Sequence, residues 1–137
     1  MPTSIFVNLP VKDLKTSMRF YEALGYKHKP QFSDETGACI VISDTIYVML
    51  LTHAKFKAFI PKEIADSTKV SEVLICLSCE DRAAVDVMVA KALAAGGSKS
   101  DEPKDYGFMY QHSFQDPDGH MWEVFWMDST GMQDAQS

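Results

Sequence analysis

The chain has 137 residues, 46% of them hydrophobic, with 13 basic and 19 acidic side chains and a formal net charge of −6. That length suits one domain or two very small ones, with enough core to hold without disulfide staples. The acidic excess argues against a nucleic-acid binder, which needs clustered Lys and Arg, and no run approaches the roughly 18 uninterrupted apolar residues of a transmembrane helix.

The start, Met1-Pro2-Thr3-Ser4, has neither a basic n-region nor an apolar stretch. The expectation is therefore a soluble, cytoplasmic protein without a signal peptide. The first apolar run, Ile5 to Leu9, leads to Asp13, a helix N-cap candidate. Leu14, Ser17, Met18, Tyr21 and Leu24 then recur at helical spacing, and Gly25 stands where a C-cap glycine belongs. Three strands are predicted next, at about Tyr26–Phe32, Ala38–Ser43 and Thr45–Thr52. Ala54–Lys69 reads as a linker with a short helix near Phe56–Ile60. Its Phe56 and Phe59 are placed to cover a cavity mouth.

A shift of 68 residues repeats the pattern. Val73 to Asp81 is again an apolar run ending in a capping Asp. Val85, Met88, Val89, Ala92 and Leu93 form a helical stripe stopped by Gly96-Gly97. A weak, charged edge strand follows near Ser98–Asp105, with Pro103 and its charges blocking further pairing. Strands at Phe108–Gln115 and His120–Met127 complete the half. Each half thus reads β-α-β-β-β: module one covers about 4–53 and module two about 70–128, in a single domain of α+β class. The polar residues 129–137 are expected to fray.

Cys39, Cys76 and Cys79 are an odd number and no disulfide framework. Cys76 and Cys79 lie three apart on a predicted strand, so they point to opposite faces about 10 Å apart. A disulfide needs about 5.5 Å. All three are read as buried small hydrophobes.

Strand parity divides the faces. Ile5, Val7 and Leu9, like Val73, Ile75 and Leu77, are aliphatic and belong against the helices. Phe6 and Asn8, with Leu74 and Cys76, make the other face. Near the end, Asp116-Pro117-Asp118-Gly119 signals a turn. A three-residue loop closed by a left-handed glycine sets Asp116 opposite His120, Ser113 opposite Glu123 and His112 opposite Val124. A two-residue loop would exchange Ser113 for His112. Glu123 carries most weight, because Met121-Trp-Glu-Val-Phe-Trp-Met127 is apolar around it. A carboxylate there needs a cation, donors or a proton.

The segments Asn8-Leu-Pro-Val-Lys-Asp-Leu, Phe20-Tyr-Glu-Ala-Leu-Gly25 and Phe114-Gln-Asp-Pro-Asp-Gly-His-Met-Trp-Glu123 resemble the vicinal oxygen chelate superfamily. That superfamily includes glyoxalase I, bleomycin and fosfomycin resistance proteins, and extradiol dioxygenases. The resemblance covers about residues 4–127. It implies two βαβββ modules curling a mixed sheet around one cavity, and a homodimer. It also implies four strand positions for a divalent metal, which fall here at Phe6, Met49, Leu74 and Glu123. Only Glu123 is a suitable ligand. Phe and Leu cannot ligate, and a Met thioether suits hard ions poorly. The sequence therefore does not support a complete divalent metal site, since even open catalytic sites keep about three protein ligands.

The lining expected of the cavity is Phe6, Asn8, Tyr47, Met49, Leu51, Leu74, Cys76, Gln111, Ser113, Met121, Glu123 and Phe125. This is an apolar set with a few polar fixers, the usual make-up of a small-molecule site. Three functions follow. One is a binding protein of the drug-resistance kind, without a complete metal site. Another is a glyoxalase I-like lyase or dioxygenase-like metalloenzyme with non-standard ligands. The third is a metal-free lyase or isomerase with Glu123 as base.

Overall fold

The computed structural model describes residues 2–129. The expected fraying concerns residues 129–137, of which 130–137 lie outside the described residues. The chain forms two compact units, Met1–Val70 and Ser71–Ser137. Each follows the βαβββ plan with one mixed sheet, of four strands in the first and five in the second, where one strand of the plan is split in two.

In the first unit β1 (Ile5–Val11) leads into α1 (Leu14–Ala23). The helix starts where expected, because the Asp13 carboxylate accepts the Thr16 N–H at 3.2 Å. It stops at Gly25, whose φ of 105° is open to glycine and strained for other residues. Phe20, Tyr21 and Leu24 are buried with Ser17. Phe20 thus joins the predicted stripe, and Leu14 and Met18 sit at its margin.

The strand predicted over Tyr26–Phe32 shrinks to β2 (Lys27–Lys29). Pro30 has no N–H for a ladder and opens a 3-10 turn over Pro30–Phe32 instead. β3 (Gly37–Val41) and β4 (Ile46–Thr52) complete the sheet in the order β1-β4-β3-β2. β1 runs parallel to β4, with Leu9 beside Leu50 and Asn8 beside Met49. Leu9, Val11, Ala38, Ile40, Val48 and Leu50 are buried on the α1 side, as parity required. Fully burying each larger side chain contributes about 1.5–3 kcal/mol.

α2 (His53–Ala58) begins three residues before the expected Phe56. The Thr52 hydroxyl ends β4 and caps α2 at once, accepting the Lys55 N–H at 3.3 Å. α2 packs on β1 and β4.

In the second unit β5 (Leu74–Ser78) leads into α3 (Arg82–Ala94), capped by Asp81 through the Ala84 N–H at 2.7 Å. Val85, Val89 and Ala92 are buried; Leu93, counted in the stripe, is turned outward and 43% exposed. The weak strand splits into β6 (Ser98–Lys99) and β7 (Lys104–Asp105), both pairing with β8 (Met109–Gln115). Pro103 lies at the break, and all four paired residues are exposed. β9 (Met121–Met127) lies between β8 and β5. Trp122, Val124 and Phe114 form the core. No helix among the described residues is long and apolar enough to cross a membrane.

Candidate functional site

The β8–β9 hairpin sets the register of the second sheet. Asp116 N–H donates to the His120 carbonyl at 3.0 Å, closing a three-residue loop in which Gly119 has a φ of 86°. The Asp116 carboxylate accepts the Asp118 and His120 N–H groups at 3.0 and 2.9 Å. That choice of loop decides every face of the hairpin, since a one-residue slip would invert both strands. Ser113 pairs with Glu123, His112 with Val124 and Gln111 with Phe125. On the far side β5 runs parallel to β9, placing Cys76 beside Glu123 and Leu74 beside Met121.

Glu123, Cys76 and Ser113 are therefore brought together on the face turned away from α3, in a field of Leu74, Gln111, Met121 and Phe125. Glu123 is half-buried, so the full desolvation expected of it does not arise. Among the described residues its side-chain hydrogen-bond partner is a thiol rather than a Lys, an Arg or a backbone amide. The Cys76 thiol donates to Glu123 Oε1 at 3.4 Å. Desolvation first, and then this carboxylate, push the Cys76 thiol above its usual range. Cys76 is exposed, against the expectation of a buried cysteine; Cys39 is buried and Cys79 lies between the two. The reason is position, because β5 is an edge strand and, among the described residues of this unit, the helix α3 lies on the other face. All three thiols are free.

The face under α3 carries a second polar group that the sequence reading missed. Arg82 donates to Asp105 Oδ2 and to the Gly107 carbonyl, both at 2.6 Å. Its guanidinium lies 5.0 Å from the centre of the Trp126 ring and 5.5 Å from that of Tyr110. The Tyr110 hydroxyl donates to Asp86 at 2.6 Å, and His112 Nδ1 lies 3.8 Å from the same carboxylate. The spacing of Arg82 and Asp86, one helical turn apart over the even-numbered residues of β8, was the available signal. His112 is on this side, opposite to Glu123, as parity implied.

In the first sheet Phe6, Asn8 and Met49 share the face turned away from α1. Phe6 stacks on Tyr47 with ring centres 4.6 Å apart and planes 11° from parallel. Lys29 Nζ sits 5.2 Å from the Tyr47 ring centre. Asn8 donates an amide N–H to the Phe6 carbonyl at 3.1 Å. Beside it α2 walls a recess of about 370 Å³ lined by Asn8, Leu51, Phe56, Phe59 and Ile60. Gly37 makes room for this wall, since a Cβ there would stand 2.8 Å from Leu51 Cδ2. Phe56 and Phe59 border this recess together with Ile60.

The donor chemistry does not suit a divalent metal at the four positions implied by the resemblance. Phe6 is an aromatic ring engaged with Tyr47, Leu74 is an aliphatic chain, and Met49 offers only a thioether. Glu123 stands alone as an oxygen donor among the four. Among the described residues no three His, Cys, Asp or Glu side chains converge to hold an ion.

Two βαβββ units in tandem, each with polar groups set in an apolar sheet face, define the class of fold. The chain belongs to the glyoxalase/bleomycin resistance protein/dioxygenase superfamily, whose family model matches residues 5–124. Among solved structures it is similar to the hypothetical protein SA1046 from S. aureus, at 33% identity and a TM-score of 0.77, covering 91% of this chain and 94% of that one. It is similar in fold to a bleomycin resistance determinant encoded on the transposon Tn5, at 18% identity and a TM-score of 0.64, covering 93% and 99%. TnmS3, an antibiotic binding protein from Streptomyces sp. CB03234, is likewise 18% identical with a TM-score of 0.66, covering 93% and 98%. None of the curated proteins matches the chain.

Proposed function

We propose that this protein binds a small, partly apolar molecule without a complete metal site, in the manner of the resistance proteins of its superfamily. The observation that carries the reading is the face of the second sheet. There a thiol-bonded carboxylate and a serine hydroxyl sit among apolar side chains, on the face turned away from α3. In this reading Gln111, Ser113 and Glu123 make the polar contacts, and Leu74, Cys76 and Phe125 the apolar ones. The bleomycin resistance determinant and the antibiotic binding protein support it as relatives of the same fold. A homodimer, implied by the resemblance, belongs to the same proposal.

The test is a panel of small aromatic and polycyclic compounds, antibiotics included, screened against the full chain by thermal shift and then by titration calorimetry. A ligand is expected that raises Tm and loses about tenfold in affinity in Glu123→Gln, the order of one charge-assisted hydrogen bond. A panel in which no binder is weakened by Glu123→Gln or Ser113→Ala would refute the site. Stoichiometric Ni, Zn, Fe or Mn in protein purified without chelator would refute its metal-free character. Sedimentation as a monomer at micromolar concentration would refute the dimer.

A further inference from the structure

The recess beside α2 has features that the binding reading does not use. Its volume, about 370 Å³, lies in the range of about 300–1,000 Å³ typical of small-molecule sites. Its walls are a leucine, two phenylalanines and an isoleucine, with one carboxamide. Asn8 spends one amide N–H on the Phe6 carbonyl, which leaves its second N–H and its oxygen for a ligand.

The rim is basic in an acidic protein. From His53 to Lys62 the chain carries Lys55, Lys57 and Lys62 and no Asp or Glu. Lys57 is engaged, donating to the Lys62 carbonyl at 2.5 Å. Lys55 is held differently. Its Nζ lies 5.3 Å from the centre of the Phe59 ring, which lines the recess. No carboxylate among the described residues lies within ion-pair distance of it. Asp34, the acid that feels Lys55 through space, is committed to its own turn. It accepts the Thr36 N–H and hydroxyl, each at 2.7 Å, and the Gly37 N–H at 3.1 Å.

We propose that this recess is a site for a small aromatic acid. Its ring packs on Leu51, Phe56 and Phe59, its carboxylate faces Lys55 at the rim, and Asn8 meets a polar atom of the ring system. The inference rests on the small-molecule reading above and goes beyond it: it adds a separate site, in the first unit, with its own ligand class.

The experiment compares 2-naphthoate with its neutral amide, 2-naphthamide, on the full chain at low salt. Calorimetry gives the affinities, and amide chemical shifts give the location. Naphthoate is expected to bind about threefold to fivefold more tightly, the size of a solvent-accessible ion pair. Its shifts should map to Asn8, Leu51, Phe56, Phe59 and Ile60. Lys55→Gln should erase the preference and leave naphthamide unchanged; because Lys55 is exposed, the variant should fold normally. Phe56→Ala should weaken both probes. Equal affinities, a preference that survives Lys55→Gln, or no binding of naphthoate would each overturn the inference. Binding of either probe with shifts at Cys76, Gln111 and Glu123 would overturn it too, while leaving the broader binding reading intact. Failure of these probes together with the whole compound panel would overturn both.

Discussion

The two units follow one plan and differ in what lies on the sheet face away from the main helix. In the first, α2 follows directly on β4 and packs on β1 and β4, and the face is aromatic: Phe6 on Tyr47, with Phe56 and Phe59 around a recess. In the second, β9 is the last strand described and, among the described residues, no second helix follows it; the face holds Glu123, Cys76 and Ser113. A shared plan therefore supplies two chemically different surfaces. One is shaped by an added helix, the other by a register that lines up polar side chains.

The strongest way to break the comparison is through the cores. Trp122→Ala in the second unit and Phe20→Ala in the first should each cost about 3–5 kcal/mol, read from chemical denaturation. If the units are equivalent, each variant should first lose amide exchange protection in its own half. Uniform loss across both halves would show one cooperative domain instead.

The caps come next. Asp13→Ala and Asp81→Ala remove the same bond at the same position in the repeat, and each should cost about 1 kcal/mol. A clear inequality between them would show that one helix depends more on its sheet than on its cap.

Gly37→Ala sharpens the contrast at the recess. The new methyl must displace the end of Leu51, at a cost of about 1 kcal/mol, and should narrow the recess without touching the second sheet. Weaker naphthoate binding with unchanged shifts at Glu123 is the expected result.

The smallest effect concerns Cys76. Alkylation by iodoacetamide follows the thiolate, so its rate should rise with pH through a midpoint above that of an ordinary cysteine. Glu123→Gln removes the negative charge and the carboxylate acceptor, so the midpoint should move down, toward the ordinary value. It should remain somewhat raised, because desolvation is the larger cause and persists. An upward movement or none would show that the 3.4 Å contact does not shape the thiol.

Most of the repeat was legible because it rests on local rules. Asp13 and Asp81 cap, Gly25 and Gly96 stop helices with positive φ, and Asp116 to Gly119 closes a hairpin with one register. The elements that shifted are those in which a neighbour overrides the pattern. Pro30 cuts β2 short, Thr52 starts α2 early, and Pro103 divides the weak strand. Parity placed Glu123, Ser113 and Cys76 on one face, but it carries no information on coverage. Cys76 was therefore read as buried when it is exposed, and Glu123 as buried when it is half so.

Length, charge and the 68-residue repeat thus determined the class of protein, two βαβββ units of the α+β kind, since caps, turns and strand alternation act within a few residues. Tertiary structure alone decided the contacts that join distant positions. These are the Cys76–Glu123 pair, the Arg82 clamp on Asp105 and Trp126, and the recess that α2 makes with Asn8 and Leu51. Each depends on which strand lies beside which and on which face a helix lands. Those choices are set by burial summed over the whole unit, which no local spacing encodes.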